Sequence, residues 1–215
     1  MKKPFDFYSK EKSNLEVEAS LLKKKFVNLS VFRFAVFLTT CFLVYLSLGS
    51  YPDVFIIAFL GVLLFGFLVV KHVSLQRKRA IINAKININR TELEILNRNF
   101  HHLDSGEEFV NQTHYYSHDI DLFGVGSFFQ YTNRTVTVDG KKLLANAFTE
   151  NRINDILEKQ NTIKELATKV KWRQHFSALA SIITTKDTAG FISDWIHNYT
   201  PVLSKYLAKI QLLFS

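Results

Sequence analysis

The sequence predicts a mainly α-helical membrane protein, an N-terminal two-helix transmembrane hairpin followed by a smaller helical domain. Three observations predict it: two charge-free apolar runs, the distribution of Lys and Arg around them, and the helical spacing of apolar residues further along. Phe34 to Leu48 and Val54 to Val70 carry no charged side chain. As a helix the second run spans about 25 Å, close to the roughly 30 Å hydrocarbon core of a bilayer. Helices buried in a soluble core rarely lack a polar face, so lipid is the better solvent for these two.

Between the runs, Gly49, Ser50, Tyr51, Pro52 and Asp53 read as a tight turn in which Gly and Pro end one helix and Asp53 caps the next. Lys23, Lys24, Lys25 and Arg33 precede the first run; Lys71, Arg77, Lys78 and Arg79 follow the second, and the turn has no Lys or Arg. By the positive-inside rule both ends face the cytoplasm. The expected organisation is a basic cytoplasmic segment over 1–30 and a hairpin over 31–71. The expected location is the inner (cytoplasmic) membrane, multi-pass, with the bulk of the chain cytoplasmic and lipid as the first partner.

The chain has 215 residues, 27 Lys and Arg against 19 Asp and Glu, a net charge of +8 and a pI near 9.5. That length suits a membrane segment plus one modest domain. Cys41 is the one cysteine, which excludes a disulfide framework and a cysteine zinc site. Asp6, Glu11, Glu16 and Glu18 precede an apolar run that begins only near residue 31, so a cleaved signal peptide is not expected.

Over 72–113 the reading is an amphipathic helix and then a linker. Leu75, Ile82, Ile86, Leu93 and Leu96 recur at helical spacing, although the alternation Ile86-Asn87-Ile88-Asn89 also suits a strand. Arg77 to Arg79 could touch DNA or lipid phosphates, and its place beside a span favours lipid. From Phe100 to His118 the periodicity stops. His114, His118 and Asp121 offer a metal reading, weakened because the sequence around them does not look helical and completes no known ligand set. The glycosylation sequons at Asn89 and Asn133 read as chance on this topology.

The stretch 114–144 carries a family pattern. Asp119, Asp121, Phe123, Gly124, Ser127, Phe129, Asn133, Thr135, Thr137, Gly140, Lys142 and Leu144 occupy the places of D-L-D-x-F-G-x-x-S-L-F-x-x-L-N-x-T-x-T-x-x-G-x-R-x-L. This resembles the opening of the core domain of the MutS family of DNA mismatch repair ATPases, with Lys142 in place of the usual Arg. Ile156, Gln160, Ile163, Glu165, Leu166, Trp172, Arg173 and Phe176 look like the core helices that follow. A hairpin before such a core resembles the membrane-anchored MutS-related proteins, in which the core is followed by an ATPase domain that pairs two subunits. The resemblance implies a partial MutS-like core over 114–200, DNA as a ligand of the complete protein, pairing of two copies, and ATP with Mg only for the ATPase domain. No cofactor or metal is assigned to this chain. Family positions that often hold Trp-Leu and Pro are replaced around Ala147, Phe148 and Thr149. Residues 201–215 read as an apolar C-terminal helix that looks interrupted, which suggests an N-terminal fragment or a truncated reading frame.

The same residues read physically as scaffold. Phe123, Phe128, Phe129 and Tyr131 supply apolar surface for a short helix. Thr137 can cap a helix with Leu143, Leu144, Ala147 and Phe148 on one face. Ile153, Ile156, Leu157, Ile163 and Leu166 form another amphipathic helix. Gly124-Val-Gly126 lacks the third glycine of a dinucleotide loop, no G-x-x-x-x-G-K-[ST] is present, and Phe148-Thr149-Glu150 falls in the helical region and not in a DNA wedge. No catalytic residue is assigned. Two functions follow: the anchor and core portion of a MutS-like DNA-binding ATPase, not catalytic alone, or a membrane-tethered helical interaction module without DNA or nucleotide activity.

Overall fold

The computed structural model describes residues 4–49, 51–150 and 153–183. Among them the elements are α1 (Pro4–Leu46), α2 (Tyr51–Leu96), a 3-10 turn (Glu107–Phe109), α3 (Phe128–Thr132), α4 (Val138–Thr149), α5 (Ile156–Thr168) and α6 (Val170–Ile183), with no strand. The expectations for 184–215, including the apolar C-terminal helix, lie outside the described residues.

Helices α1 and α2 have 43 and 46 residues, so each is on the order of 65–70 Å long, about twice the thickness of a hydrocarbon core. They lie side by side as an antiparallel pair, and one register runs the whole length. Thr40 meets Gly61, Phe37 meets Phe65, Ser30 and Phe26 meet His72, and Leu15 packs with Ile82 and Ile86. The contact at Gly61 is close: a Cβ there would come within 2.3 Å of Thr40 Cγ2. Thr40 is β-branched and its hydroxyl donates to Val36 O at 2.8 Å, so the seam needs a residue without a side chain at this point.

Both helices are long and apolar enough to cross a membrane, and only 6% of the most apolar window of each is buried within the protein. That low figure separates them from the central helices of a soluble core, whose apolar residues are covered. Backbone groups in such a segment bond within the helix itself, which is the one open-chain solution available in lipid.

The sequence reading of 1–30 as a basic segment is extended by the structure, since helix begins at Pro4 and runs unbroken into the apolar stretch. Leu15, Ala19 and Leu22 stand on one face and pack on Ile82 and Ile86, so the hairpin continues beyond its apolar half as a two-helix stalk. The expected capping role of Asp53 is corrected. Tyr51 already opens α2, and Asp53 sits inside the first turn, where its charge complements the helix dipole.

Of the two readings of Ile86-Asn87-Ile88-Asn89, helix holds. Ile82, Ile86 and Asn89 are buried while Asn87 and Arg90 are exposed, a 3.6-residue period. Leu96, read as part of the buried stripe, is exposed, and Ile95 is buried in its place. Asn89 is 0% exposed. Its Nδ2 donates to Lys85 O at 2.8 Å, and its Oδ1 accepts from Gln174 Nε2 at 2.9 Å, which fastens α6 to the stalk.

Removing one partner of a buried pair costs more than removing both, because an unsatisfied amide stays behind. Asn89→Ala is therefore expected to destabilise α6 docking by about 1–3 kcal/mol. Asn89→Leu combined with Gln174→Leu should recover most of that loss. Hydrogen exchange of the α6 amides in the full chain measures both, and equal protection in wild type and Asn89→Ala would refute the role given to this pair.

Candidate functional site

The segment after α2 folds around one phenylalanine. Phe129, 0% exposed, lies among Phe109, Phe123 and Phe148 with ring centroids 5.8, 5.2 and 6.3 Å away. Leu122, Ala145, Leu144 and Tyr116 complete the cluster. Gly106 lets the chain pass over this ring: its φ is +70°, and a Cβ there would lie 2.6 Å from Phe129 Cδ1.

The family-pattern residues divide by role. Phe123 and Phe129 are interior, and Leu144 packs on them. Ser127 caps α3, its side chain accepting from Gln130 N at 3.1 Å. Thr137 caps α4 in the same way through Gly140 N at 3.1 Å, and the absence of a Cβ at Gly140 leaves room for the Thr137 hydroxyl. Asn133 Oδ1 accepts from the Thr135 amide at 3.0 Å and from its hydroxyl at 2.6 Å, closing the turn between the two helices. Gly124, at φ +105°, donates its N–H to Ser105 O at 2.9 Å. Asp119 and Lys142 are exposed, and Asp121 sits in a left-handed turn at φ 47° with its side chain at the surface.

Several readings of this region are corrected. Phe128, Leu143 and Ala147 face outward, and the inner face of α4 is Leu144, Ala145 and Phe148. The cation that ties the segment together is Lys141, which pairs with both Asp104 and Glu108 and lies 5.6 Å over the Phe109 ring. Gln130, also passed over in the sequence, is buried; its Nε2 donates to His101 O at 3.0 Å and to Leu103 O at 2.6 Å, and its Oε1 accepts from Gly126 N at 2.7 Å. A glutamine with one acceptor and two donors can hold a loop in this way, but a pattern of apolar residues does not reveal it.

His114 and Tyr116 are clamps. His114 Nδ1 accepts from Ser117 N at 3.2 Å and its Nε2 lies 3.3 Å from Thr149 O, while the Tyr116 hydroxyl donates to Phe148 O. The two rings thus hold carbonyls at the end of α4. Among the described residues no group of His, Cys, Asp and Glu is arranged to hold a metal ion, so the metal reading of His114, His118 and Asp121 gains no support.

The Lys141 bridge has a pH signature. Burial pushes the Asp104 carboxyl up, but hydrogen bonds from Lys141 and from Gly106 N–H, with the Lys141 charge, outweigh it and hold the group below its ordinary 3.8. Burial pushes Lys141 down, and its bonds to Asp104 and Glu108 outweigh that and raise it above 10.5. A lowered acid contributes fully above its unfolded pKa and loses the contribution as pH falls through the folded value; a raised base contributes below its unfolded pKa and loses it as pH rises. Full-chain Lys141→Met should therefore be less stable than wild type by a constant amount, under about 1 kcal/mol because both carboxylates are half exposed, between those limits. The gap should close in acid below 3.8 and in base above 10.5. Urea unfolding across pH checks it, and a gap that persists in acid would contradict it.

Where this segment meets the stalk there is a cleft of about 320 Å³ between Tyr8, the Asn87 to Glu92 part of α2, Arg134 and α6. Arg134 Nε donates to Glu92 Oε1 at 2.8 Å and its Nη1 donates to Tyr131 O at 2.8 Å, so the loop before α4 is tied to α2. Burial raises the Tyr8 pKa, as does the Glu92 charge, with Arg173 and Arg134 opposing. Ser177 and Ser181 line the same space. Within the cleft, the Ser181 hydroxyl donates to Ala178 O at 2.8 Å.

The chain matches no family model, no curated protein and no solved structure.

Proposed function

We propose that this chain is a membrane anchor and scaffold, the anchor and core portion of a MutS-like DNA-binding ATPase, with the nucleotide chemistry carried outside this sequence. The observation that supports it is the division of labour among the pattern residues. Ser127, Asn133, Thr137 and Gly140 cap or close turns, and Phe123, Phe129 and Leu144 fill the interior. Such residues specify a shape on which other domains are mounted. The Lys and Arg asymmetry orients both ends of the hairpin to the cytoplasm, and the stalk sets this shape off from the inner membrane surface.

DNA binding by the detergent-purified full chain tests the reading. Affinity for duplex DNA that falls steeply with salt and survives competition from anionic lipid supports it, because counterion release gives phosphate contacts that slope. Absence of such binding favours the second reading, a tethered helical interaction module without DNA or nucleotide activity. One observation speaks for that alternative: α5 has no buried residue, and Leu157 and Ile163, with Trp172 and Phe176 of α6, remain exposed on the amphipathic faces.

A further inference from the structure

At the junction of the apolar half of the hairpin and the stalk, α1 and α2 enclose a shallow groove of about 420 Å³. Lys25 of α1 and Lys71 and Lys78 of α2 line it, and Leu29, Phe67 and Leu68 lie on the side of the apolar runs. We propose that this groove binds the headgroup phosphate of an anionic phospholipid, with an acyl chain along Leu29, Phe67 and Leu68. The inference rests on the reading that the two helices cross a bilayer.

Three observations carry it. The first is charge: from residue 19 to residue 91 the sole acid is Asp53, at the opposite end of the hairpin, while ten Lys and Arg stand in that interval. None of the three groove lysines has a carboxylate partner among the described residues. Ring contacts hold some of the cations in place, Lys71 Nζ lying 5.5 Å over the Phe67 ring, Arg33 5.9 Å over the Phe65 ring and Arg79 4.5 Å over the Phe26 ring.

The second is depth. Lys71 directly follows the charge-free run, and Lys78 lies two helical turns further, about 10 Å along the axis. The α1–α2 register puts Lys25 across from them, since its neighbour Phe26 contacts both His72 and Arg79. Three ammonium groups from two helices therefore ring the level at which lipid phosphates lie. The third is amphipathic layering: the apolar wall faces the hydrocarbon and the lysines face the headgroups, which matches a lipid and not a free anion. Ser74, between Lys71 and Lys78 in the lining, adds a neutral hydrogen-bonding group.

The test uses the full chain in phosphatidylcholine nanodiscs doped with phosphatidylglycerol, followed by detergent extraction and measurement of the lipid retained per protein. Wild type should retain phosphatidylglycerol above its proportion in the disc. Lys25→Gln, Lys71→Gln and Lys78→Gln together should lose that enrichment, each lysine contributing about five-fold. Lys10→Gln, Lys142→Gln and Lys159→Gln, which remove the same charge elsewhere, should keep it. Insertion into the discs without enrichment, enrichment that survives in the groove variant, or its loss in the control variant would overturn the groove and leave the anchor standing. Failure to enter pure phosphatidylcholine discs would overturn the anchor and the groove together. Competition by glycerol 3-phosphate as effective as that by phosphatidylglycerol would show a soluble-anion site and overturn the lipid assignment.

Discussion

Phe129→Ala is expected to cost about 3–5 kcal/mol, enough to unfold the segment between α2 and α5 in a protein of ordinary stability. The ring is fully buried and touches three other phenylalanines, and Gly106 is shaped around it, so deletion leaves a cavity that the short α3 cannot collapse to fill. Phe129→Leu keeps most of the apolar volume and should cost well under half as much. Limited proteolysis of the full chain in detergent, read for cleavage between residues 100 and 150, reports the loss. Phe128→Ala is the internal comparison: that residue is 56% exposed and loses mainly its ring contact with Phe148 at 5.5 Å, so it should cut far more slowly than Phe129→Ala. Equal protease resistance of Phe129→Ala and wild type would remove the basis for a Phe129-centred core.

Arginines at Phe59 and Val62 should have the second large effect. Both side chains point away from α1, 65% and 69% exposed, in the middle of the second apolar run. Near the centre of a membrane span each Arg costs roughly 2.5–3.5 kcal/mol on an insertion scale. The pair Phe59→Arg and Val62→Arg should thus shift the protein strongly out of the carbonate-resistant membrane fraction, while Phe59→Leu with Val62→Leu leaves it there. In water the same arginines at exposed positions would be harmless and would improve solubility. Membrane retention of the arginine variant at the wild-type level would therefore count against lipid around α2.

The hairpin was legible because its cause is compositional. Charge-free runs with no polar face and flanking basic residues need no knowledge of distant contacts, whereas Pro52, read as part of the turn, lies in the first turn of α2. The stalk half of α1 could have been read as well, since Leu15, Ala19 and Leu22 are spaced one and two turns apart, but the surrounding Lys and Glu masked a stripe this narrow. Ser127 and Thr137 announce themselves as caps through local geometry. Gln130, Lys141 and Gln174 do not. Their partners come from residues 101–108 or from α2, and a polar residue whose bonds close over dozens of positions leaves no periodic trace.

The buried face of α4 is hidden in the sequence for a related reason. Leu143, Leu144, Ala147 and Phe148 are all apolar, and only the docking of α4 onto Phe129 selects Leu144, Ala145 and Phe148. Similarly, α5 has the predicted amphipathic pattern, yet none of its residues is buried, because the described residues place nothing over that face. Amphipathicity announces that a face wants a partner without saying which one.

The most direct test of a cytoplasmic stalk on a membrane hairpin is accessibility of single cysteines to a membrane-impermeant maleimide, in a Cys41→Ser background, in intact and permeabilised cells. Gly49→Cys probes the turn, where a Cβ meets nothing within 4 Å, and Ser20→Cys and Lys142→Cys probe exposed positions on the stalk and beyond it. Gly49→Cys should label in cells whose cytoplasmic membrane is intact, while the other two should label only once that membrane is opened. Labelling of Ser20→Cys or Lys142→Cys in intact cells, or protection of Gly49→Cys until lysis, would contradict it.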